Sequence, residues 1–370
     1  MRQPLTGPSF GTYATDDVGW LLTDISDIGL EVATMNRERE IQSGRAHYAE
    51  SLPIEFQPDQ TYRTLFEDVL AESAGRLATS VGIVTNLVLK ERGTDIVLVS
   101  LARAGTPIGI LMRRWAAEQY QLRLPHYAIS IVRGRGIDTA ALLYLSEHHD
   151  PAKVVFVDGW TGKGAITCEL TAALADHAAI TGVRFNPDLA VLADPGYCVQ
   201  TFGTRDDFLI ASACLNSTVS GLISRTVLNP RLMQPGDFHG AKFYRDLHQA
   251  DMSGLFLDTV SAEFSKVTSR VNDHHDALSP GERVPSWSGL AAVLKIQQQY
   301  GIATSNFVKP GIGETTRVLL RRLPWRIVLR DPDSPDHRHI RLLAQARNIP
   351  VDYDPELAYA CVGLIKDITA

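Results

Sequence analysis

Four short apolar runs, the first three each leading into a polar loop and then a helical stretch, constrain this chain more than any other feature. Residues 95–100 (DIVLVS), 126–132 (HYAISIV), 153–157 (KVVFV) and the run LAVLAD ending at Asp194 are continuous and rich in β-branched residues. They lack the polar alternation of a half-solvated strand, which predicts strands buried on both faces of a parallel sheet. Strands that alternate with helices at this spacing are βαβ units, with helices on both faces of the sheet. Ligands in such sheets bind beyond the carboxyl ends of the strands. The loops after Ser100, Val132, Val157 and Asp194 are therefore where chemistry is expected.

The remaining segments arrange themselves around that pattern. The first fifty residues read as an irregular cap. From Tyr62 the period becomes helical, with Leu77, Val81, Val84 and Val88 on one stripe and Gly93 as terminator. The loop LARAGTP leads to a helix with Pro107 at its first position, and Asp138 is placed to cap the helix after RGRG. Beyond Asp194 the pattern weakens, until a single long helix is expected to carry Val260, Phe264, Val267 and Val271. The turn-rich NDHHDALSPGERVPSWSG is the candidate boundary. After it come a helix, the Gly-rich loop and helix GIGETTRVLLRR, a strand, a helix, a short strand, and a last helix and strand. At 370 residues the chain exceeds what one core usually fills. Two domains are expected, 1–280 and 285–370. No internal repeat is visible.

Composition narrows the class. With 45% hydrophobic and 21% charged residues the chain reads as folded rather than fibrous or disordered. No apolar run approaches the roughly 20 residues that span a bilayer, and the N-terminus has neither a basic start nor an apolar middle. Neither membrane insertion nor secretion is expected, and a cytoplasmic homo-oligomer is. Cys168, Cys198, Cys214 and Cys361 form no CxxC pair, which speaks against a disulfide framework and for a reducing compartment. The net charge of −6 is uneven: from Pro285 onward 11 Lys and Arg face 8 Asp and Glu, so the tail is mildly basic. That is compatible with ordinary solvated faces or with a nucleic-acid footprint.

The most specific stretch is VVFVDGWTGKGAIT. A buried strand delivers Asp158, and Thr161, Gly162, Lys163 and Gly164 form a turn in front of a helix, a geometry that suits a phosphate. It is not a Walker A loop, because Val157 and Gly164 stand where that motif needs Gly and Ser or Thr. A strand, an acid and TGKG resemble the signature of type I phosphoribosyltransferases. The resemblance implies a parallel sheet with flanking helices of that type and a role for Asp158 on the ribose of phosphoribosyl pyrophosphate. It also implies pyrophosphate binding by Arg103, Ala104 and Gly105, a basic flap with Arg133 and Arg135, and Mg²⁺ carried by the ligand. A nucleobase-like acceptor would be read by Tyr197 and Trp160. One acid is missing, since Gly159 follows Asp158 where most members have a second carboxylate. That leaves open a sensor that binds the ligand without turnover.

A second chemistry competes. Cys214 and His239 can be read as a thiol nucleophile and its base, with Asp237 or Asn216 orienting the ring, although a lone Cys beside an apolar run is also the mark of a buried small side chain. The DHHD cluster at 273–276 reads as a solvated loop rather than a metal site, because four adjacent residues cannot all face one ion.

In the tail, Gly311 and Gly313 stand at a helix start with Glu314, Thr315 and Arg317 in the next turns. The pattern also fits a capped amphipathic helix with solvated arginines. GIGETTR followed by WRIVL, IPVDY and LIKDI resembles a Pelota-type RNA-binding domain, which implies structured RNA as a partner. From about Phe10 onward, SGRAHYAESLPIE, RAGTP, DGWTGKGA, CLNSTVSGL, DFHG and GIGETTR together resemble the bacterial StiP-type cysteine protease family of tellurium-resistance stress operons. That name conflicts with the phosphoribosyltransferase reading. The phosphate turn favours the transferase, because it explains residues a protease does not need.

Overall fold

The computed structural model describes residues 3–367 apart from Phe56, Ala211, Ser212, Cys214, Leu278 and Pro280. The N-terminal region is not only a cap. It contributes a strand to the main sheet and a short helix, α1 (Thr34–Gln42), that is polar on most sides and carries no sequence period.

The apolar runs form one parallel sheet in the order Gly19–Trp20, His126–Ile129, Val97–Leu101, Val154–Trp160, Leu189–Ala193, Thr201–Thr204, with every neighbouring pair parallel. Alternate residues of each strand supply two separate cores. Leu98, Val155, Val157, Ala190 and Leu192 face α2 (Gln60–Arg92) and α3 (Ala102–Tyr120). Val97, Val99, Leu101, Phe156 and Val191 face α4 (Thr139–His148) and α5 (Ala165–Thr181). Both faces are apolar, which is why the runs show no alternation. The winding direction reverses between Val97–Leu101 and Val154–Trp160, the position at which open α/β sheets leave a crevice.

Local signals account for most of the helix ends. The Asp59 carboxylate accepts from Tyr62 N at 2.8 Å, Gly93 ends α2 with φ 81°, and Asp138 accepts from Ala140 N and Ala141 N at 3.0 and 3.1 Å. Pro107 differs from expectation. Helix α3 begins directly at Ala102, so Pro107 lies inside it, where only the backbone bond to the Arg103 carbonyl is lost. The expected long helix is two, α6 (Ser253–Ser261) and α7 (Phe264–Ala277), with the chain turning at Ala262 and Glu263. Val260, Phe264, Val267 and Val271 are all buried regardless.

The C-terminal unit is a mixed four-stranded sheet, Val308–Pro310, Cys361–Ile365, Pro324–Leu329, Val351–Tyr353, with α8 (Ser288–Gln299), α9 (Gly311–Arg321) and α10 (Arg338–Ala346). The helix expected before the last strand is absent, and 354–360 are turns. The DHHD residues belong to α7 rather than to a loop. The unit folds back onto the first. Ile312, Leu319, Ile327 and Ile340 share one buried cluster with Phe208, Leu209 and Ile210. Among the described residues no helix is long and apolar enough to cross a membrane.

Candidate functional site

The turn at 161–164 is enclosed. Thr161 N donates to Ala193 O at 3.0 Å, and Gly164 N donates to the Thr161 hydroxyl at 3.2 Å. The Gly162 carbonyl accepts from the Tyr359 hydroxyl at 2.6 Å, and the Lys163 ammonium donates to Ser305 O and Val308 O at 2.7 and 3.2 Å. Burial pushes the Lys163 pKa down to about 7. A Cβ on Gly162 would lie 2.2 Å from the Trp160 indole, and one on Gly164, whose φ is 71°, 2.2 Å from Trp287. The second unit thus covers the place where a phosphate was expected.

The upstream loops also differ. Ala104 and Gly105 are in the first turns of α3, not in a loop, and a Cβ on Gly105 would sit 2.4 Å from Val157 O, so glycine is there to let helix and strand meet. The expected flap is a tight hairpin of Ile131–Val132 and Gly136–Ile137, pinned by Glu169, which accepts from Gly134 N and Gly136 N at 2.7 and 2.8 Å. The Arg133 guanidinium bonds Asn306 Oδ1, and Arg135 lies 3.8 Å from Glu50. Trp160 is wedged between Gly162 and Gly311, and its indole Nε1 is buried with no hydrogen-bond partner among the described residues. The exposed Tyr197 ring stacks under Arg205 at 4.5 Å.

Asp158 and Arg103 do flank the crevice where the winding reverses, but they face protein. Asp158 is the fifth residue of its strand and accepts from Gly159 N at 2.7 Å. Burial lifts its carboxyl to about 7, against the opposing pull of that bond and of Arg317. Arg103 lies 3.8 Å from Glu55, whose Oε1 accepts from Ser217 N and Ser217 Oγ at 2.8 and 2.9 Å. Burial lowers the Arg103 guanidinium, and Glu55 partly restores it.

The residues expected to meet RNA close this junction from the other side. Gly311, the first residue of α9, abuts Trp160, and the next amide, Ile312 N, donates to Asp207 Oδ1 at 3.0 Å. Asp207 Oδ2 accepts from Ala360 N at 2.8 Å. A Cβ on Gly313 would touch Ala213 at 3.5 Å. Glu314 pairs with Arg317 at 2.5 Å; burial alone would raise its pKa, but Arg317 and Lys309 hold it down at about 2. Thr315 is fully buried and accepts from the Cys361 thiol at 3.3 Å.

Cys214 lies outside the described residues. Its neighbours Ala213 and Leu215 are buried, and Ser217 is the residue held by Glu55. Asn216 is buried with both amide atoms unpartnered among the described residues. The Cys198 thiol is pushed up to about 12 by burial and the Asp194 carboxylate, and burial also raises the Cys361 thiol well above its ordinary range. Cys168 is exposed on α5. The His239 ring Nδ1 meets Ser130 Oγ at 2.8 Å, while its backbone N–H donates to Asp138 Oδ2 at 2.6 Å. Burial lowers the His239 pKa and the Asp138 charge opposes that. Asp237 accepts from Gln234 N at 3.0 Å. Among the described residues no group of three His, Cys, Asp or Glu is placed to hold a metal ion.

Fold and site define a two-part α/β protein, a parallel-sheet unit whose strand ends are closed by a small mixed-sheet unit through a charged junction. The chain belongs to the StiP family: residues 11–261 match the family described as "Tellurite-like stress resistance cysteine protease StiP", and residues 287–367 match the PELOTA RNA binding domain. It is 34% identical over 372 residues to "Cysteine protease StiP" of Acinetobacter baylyi, covering 97% of this chain and 94% of that protein. No solved structure matches. Family and relative are both named for a cysteine protease, which overturns the phosphoribosyltransferase reading together with its phosphoribosyl pyrophosphate and nucleobase partners. The enclosed turn is the physical reason the sequence signal misled. Mg²⁺ was expected only with that donor and has no part in the reading below.

Proposed function

We propose that this protein is a cysteine protease with Cys214 as nucleophile and His239 as base. What carries the reading is membership of a family, and 34% identity to a relative, named for that activity. Thiol chemistry speaks against two of the other three cysteines, and the third, the exposed Cys168, lies outside the CLNSTVSGL motif that carries the family resemblance. Nucleophilic cysteines need an accessible thiolate, and burial works against one at Cys198 and Cys361. His239 has one ring nitrogen engaged by Ser130, which leaves Nε2 to take the proton. The thiol proton passes to Nε2 and the sulfur attacks the peptide carbonyl. The C–N bond then breaks as the amine takes that proton, leaving a thioester that water hydrolyses. The unpartnered Asn216 amide, two residues from Cys214, supports a role as a donor to the developing oxyanion.

In this reading the unit beyond the 280–285 boundary binds structured RNA, supported by the PELOTA match. The parallel sheet with its reversal of winding between Val97–Leu101 and Val154–Trp160 supports an architecture akin to type I phosphoribosyltransferases, as a scaffold only. The test is cleavage of a fluorogenic peptide set by the full chain. Cys214→Ser and His239→Ala are expected to lose turnover at least a hundredfold while staying folded, and full activity in Cys214→Ser would end the reading. Titration with a structured RNA at two salt concentrations tests the second part, and absent or salt-independent binding would refute it.

A further inference from the structure

A group of arginines from distant parts of the chain meets at Tyr48. Arg37 Nη2 donates to the Tyr48 carbonyl at 2.9 Å, the Arg225 guanidinium lies 4.8 Å over the Tyr48 ring, and the Tyr48 hydroxyl accepts from Arg133 N at 2.7 Å. Arg225 Nη2 also donates to Ser51 O at 3.2 Å. Arg37 is only 7% exposed. Among the described residues the Nε atoms of both Arg37 and Arg225 are buried without a hydrogen-bond partner. Among the described residues neither guanidinium has a carboxylate within 4 Å. The nearby buried Glu38 is taken by Arg322, and Glu55 by Arg103.

Such an arrangement is costly for a protein that never fills it. A buried cation without a counter-ion gives up its hydration and receives little in return. Burial and the neighbouring charges of Arg37 and Arg103 drive the Arg225 guanidinium down to about 9. A planar guanidinium pair of this kind matches a carboxylate by forked hydrogen bonds. The burial also limits what can enter. A nucleic-acid backbone needs a track of exposed cations, and Arg37 is almost wholly buried. The Arg225 guanidinium feels the charge of Arg103, which pairs with Glu55, and Glu55 accepts from Ser217, three residues after Cys214 in sequence.

We propose that Arg37 and Arg225, presented on Tyr48, form a subsite that binds the carboxylate of an acidic residue in the peptide substrate. The inference rests on the protease reading for the identity of the ligand, and on the unpartnered donors for its charge.

The experiment uses the full chain and paired peptides that differ only in Glu against Gln, with the position scanned along either side of the cleaved bond. At one position kcat/KM is expected to be at least tenfold higher for Glu. In Arg225→Gln that ratio is expected to fall to about twofold, with Arg225→Lys intermediate. The thermal midpoint should hold or rise, because an unmatched buried charge has been removed; a merely structural arginine would instead lower it with the ratio unchanged. Binding is read separately as the thermal shift of Cys214→Ser with each peptide and with a structured RNA. A shift by the Glu peptide alone, without cleavage by the wild type, would keep the subsite and refute the protease. Equal cleavage of Glu and Gln peptides at every position would refute the subsite and keep the protease. A shift by RNA alone, lost in Arg225→Gln, would assign the group to nucleic acid and overturn the proposal.

Discussion

The Tyr359 hydroxyl donates to the Gly162 carbonyl at 2.6 Å and so ties the second unit to the turn at the carboxyl end of the Val154–Trp160 strand. Tyr359 is almost wholly buried. Tyr359→Phe leaves that carbonyl without its donor, and a buried orphan of this sort costs about 1–3 kcal/mol. The expected result is a thermal midpoint several degrees lower by calorimetry. An unchanged midpoint would show that the bond does not hold the units together.

Asp158 sets a pH dependence whose sign is opposite to that of most carboxylates. Burial raises its folded pKa to about 7, so the folded chain binds a proton that the unfolded chain releases near pH 4. The stability this group contributes is full below about pH 4 and is lost as pH rises through about 7. Asp158→Asn keeps an oxygen for Gly159 N and removes the charge. It is expected to melt higher than wild type at pH 8, with the gain vanishing by pH 4. A variant that melts lower at pH 8 would mean that the carboxylate is satisfied by partners such as Arg317.

The thiols should separate by reactivity. In the native protein at pH 8, iodoacetamide is expected to spare Cys198 and Cys361, whose protons burial retains, and to modify Cys168 on its exposed helix. Mass spectrometry of labelled peptides reads this directly. Cys198→Ser should retain peptidase activity, and its loss there would move the nucleophile away from Cys214.

Asp207 holds the start of α9 by accepting from Ile312 N and Ala360 N. Burial lifts its pKa to about 6 while those two bonds oppose the rise. Asp207→Ala removes both acceptors. Faster trypsin cleavage within 278–287 and tighter binding of structured RNA are expected, since the helix amides are then free for an anion. Unchanged RNA affinity would separate RNA binding from this end of α9.

The sheet was legible because its strands are buried on both faces: Val97, Val99 and Leu101 face one core and Leu98 the other, so an unbroken apolar run is the signature of the position. Gly93 and Asp138 likewise act through neighbours within a few residues, a range that sequence carries, and Asp59, which acts over the same range, was passed over. The candidate site was legible only in parts. Asp158 and Arg103 both stand at the winding reversal, yet nothing near them in sequence announces that the charges of Glu314 and Arg317, some 150 or more residues away, bear on Asp158. Tyr48, Arg37 and Arg225 were missed for the same reason: α1 has no apolar stripe, and the contacts join positions far apart in the chain. Pro107 misled because a proline in the second turn of a helix costs only one backbone bond.

The shared apolar cluster has a practical corollary. Phe208, Leu209 and Ile210 on one side and Ile312, Leu319 and Ile327 on the other are each other's shelter from water. Cutting the polypeptide between them would bare two complementary greasy surfaces, and the fragments would clump or re-pair rather than circulate as independent molecules. On the proposed function, peptide cutting and RNA contact would then be lost or recovered together.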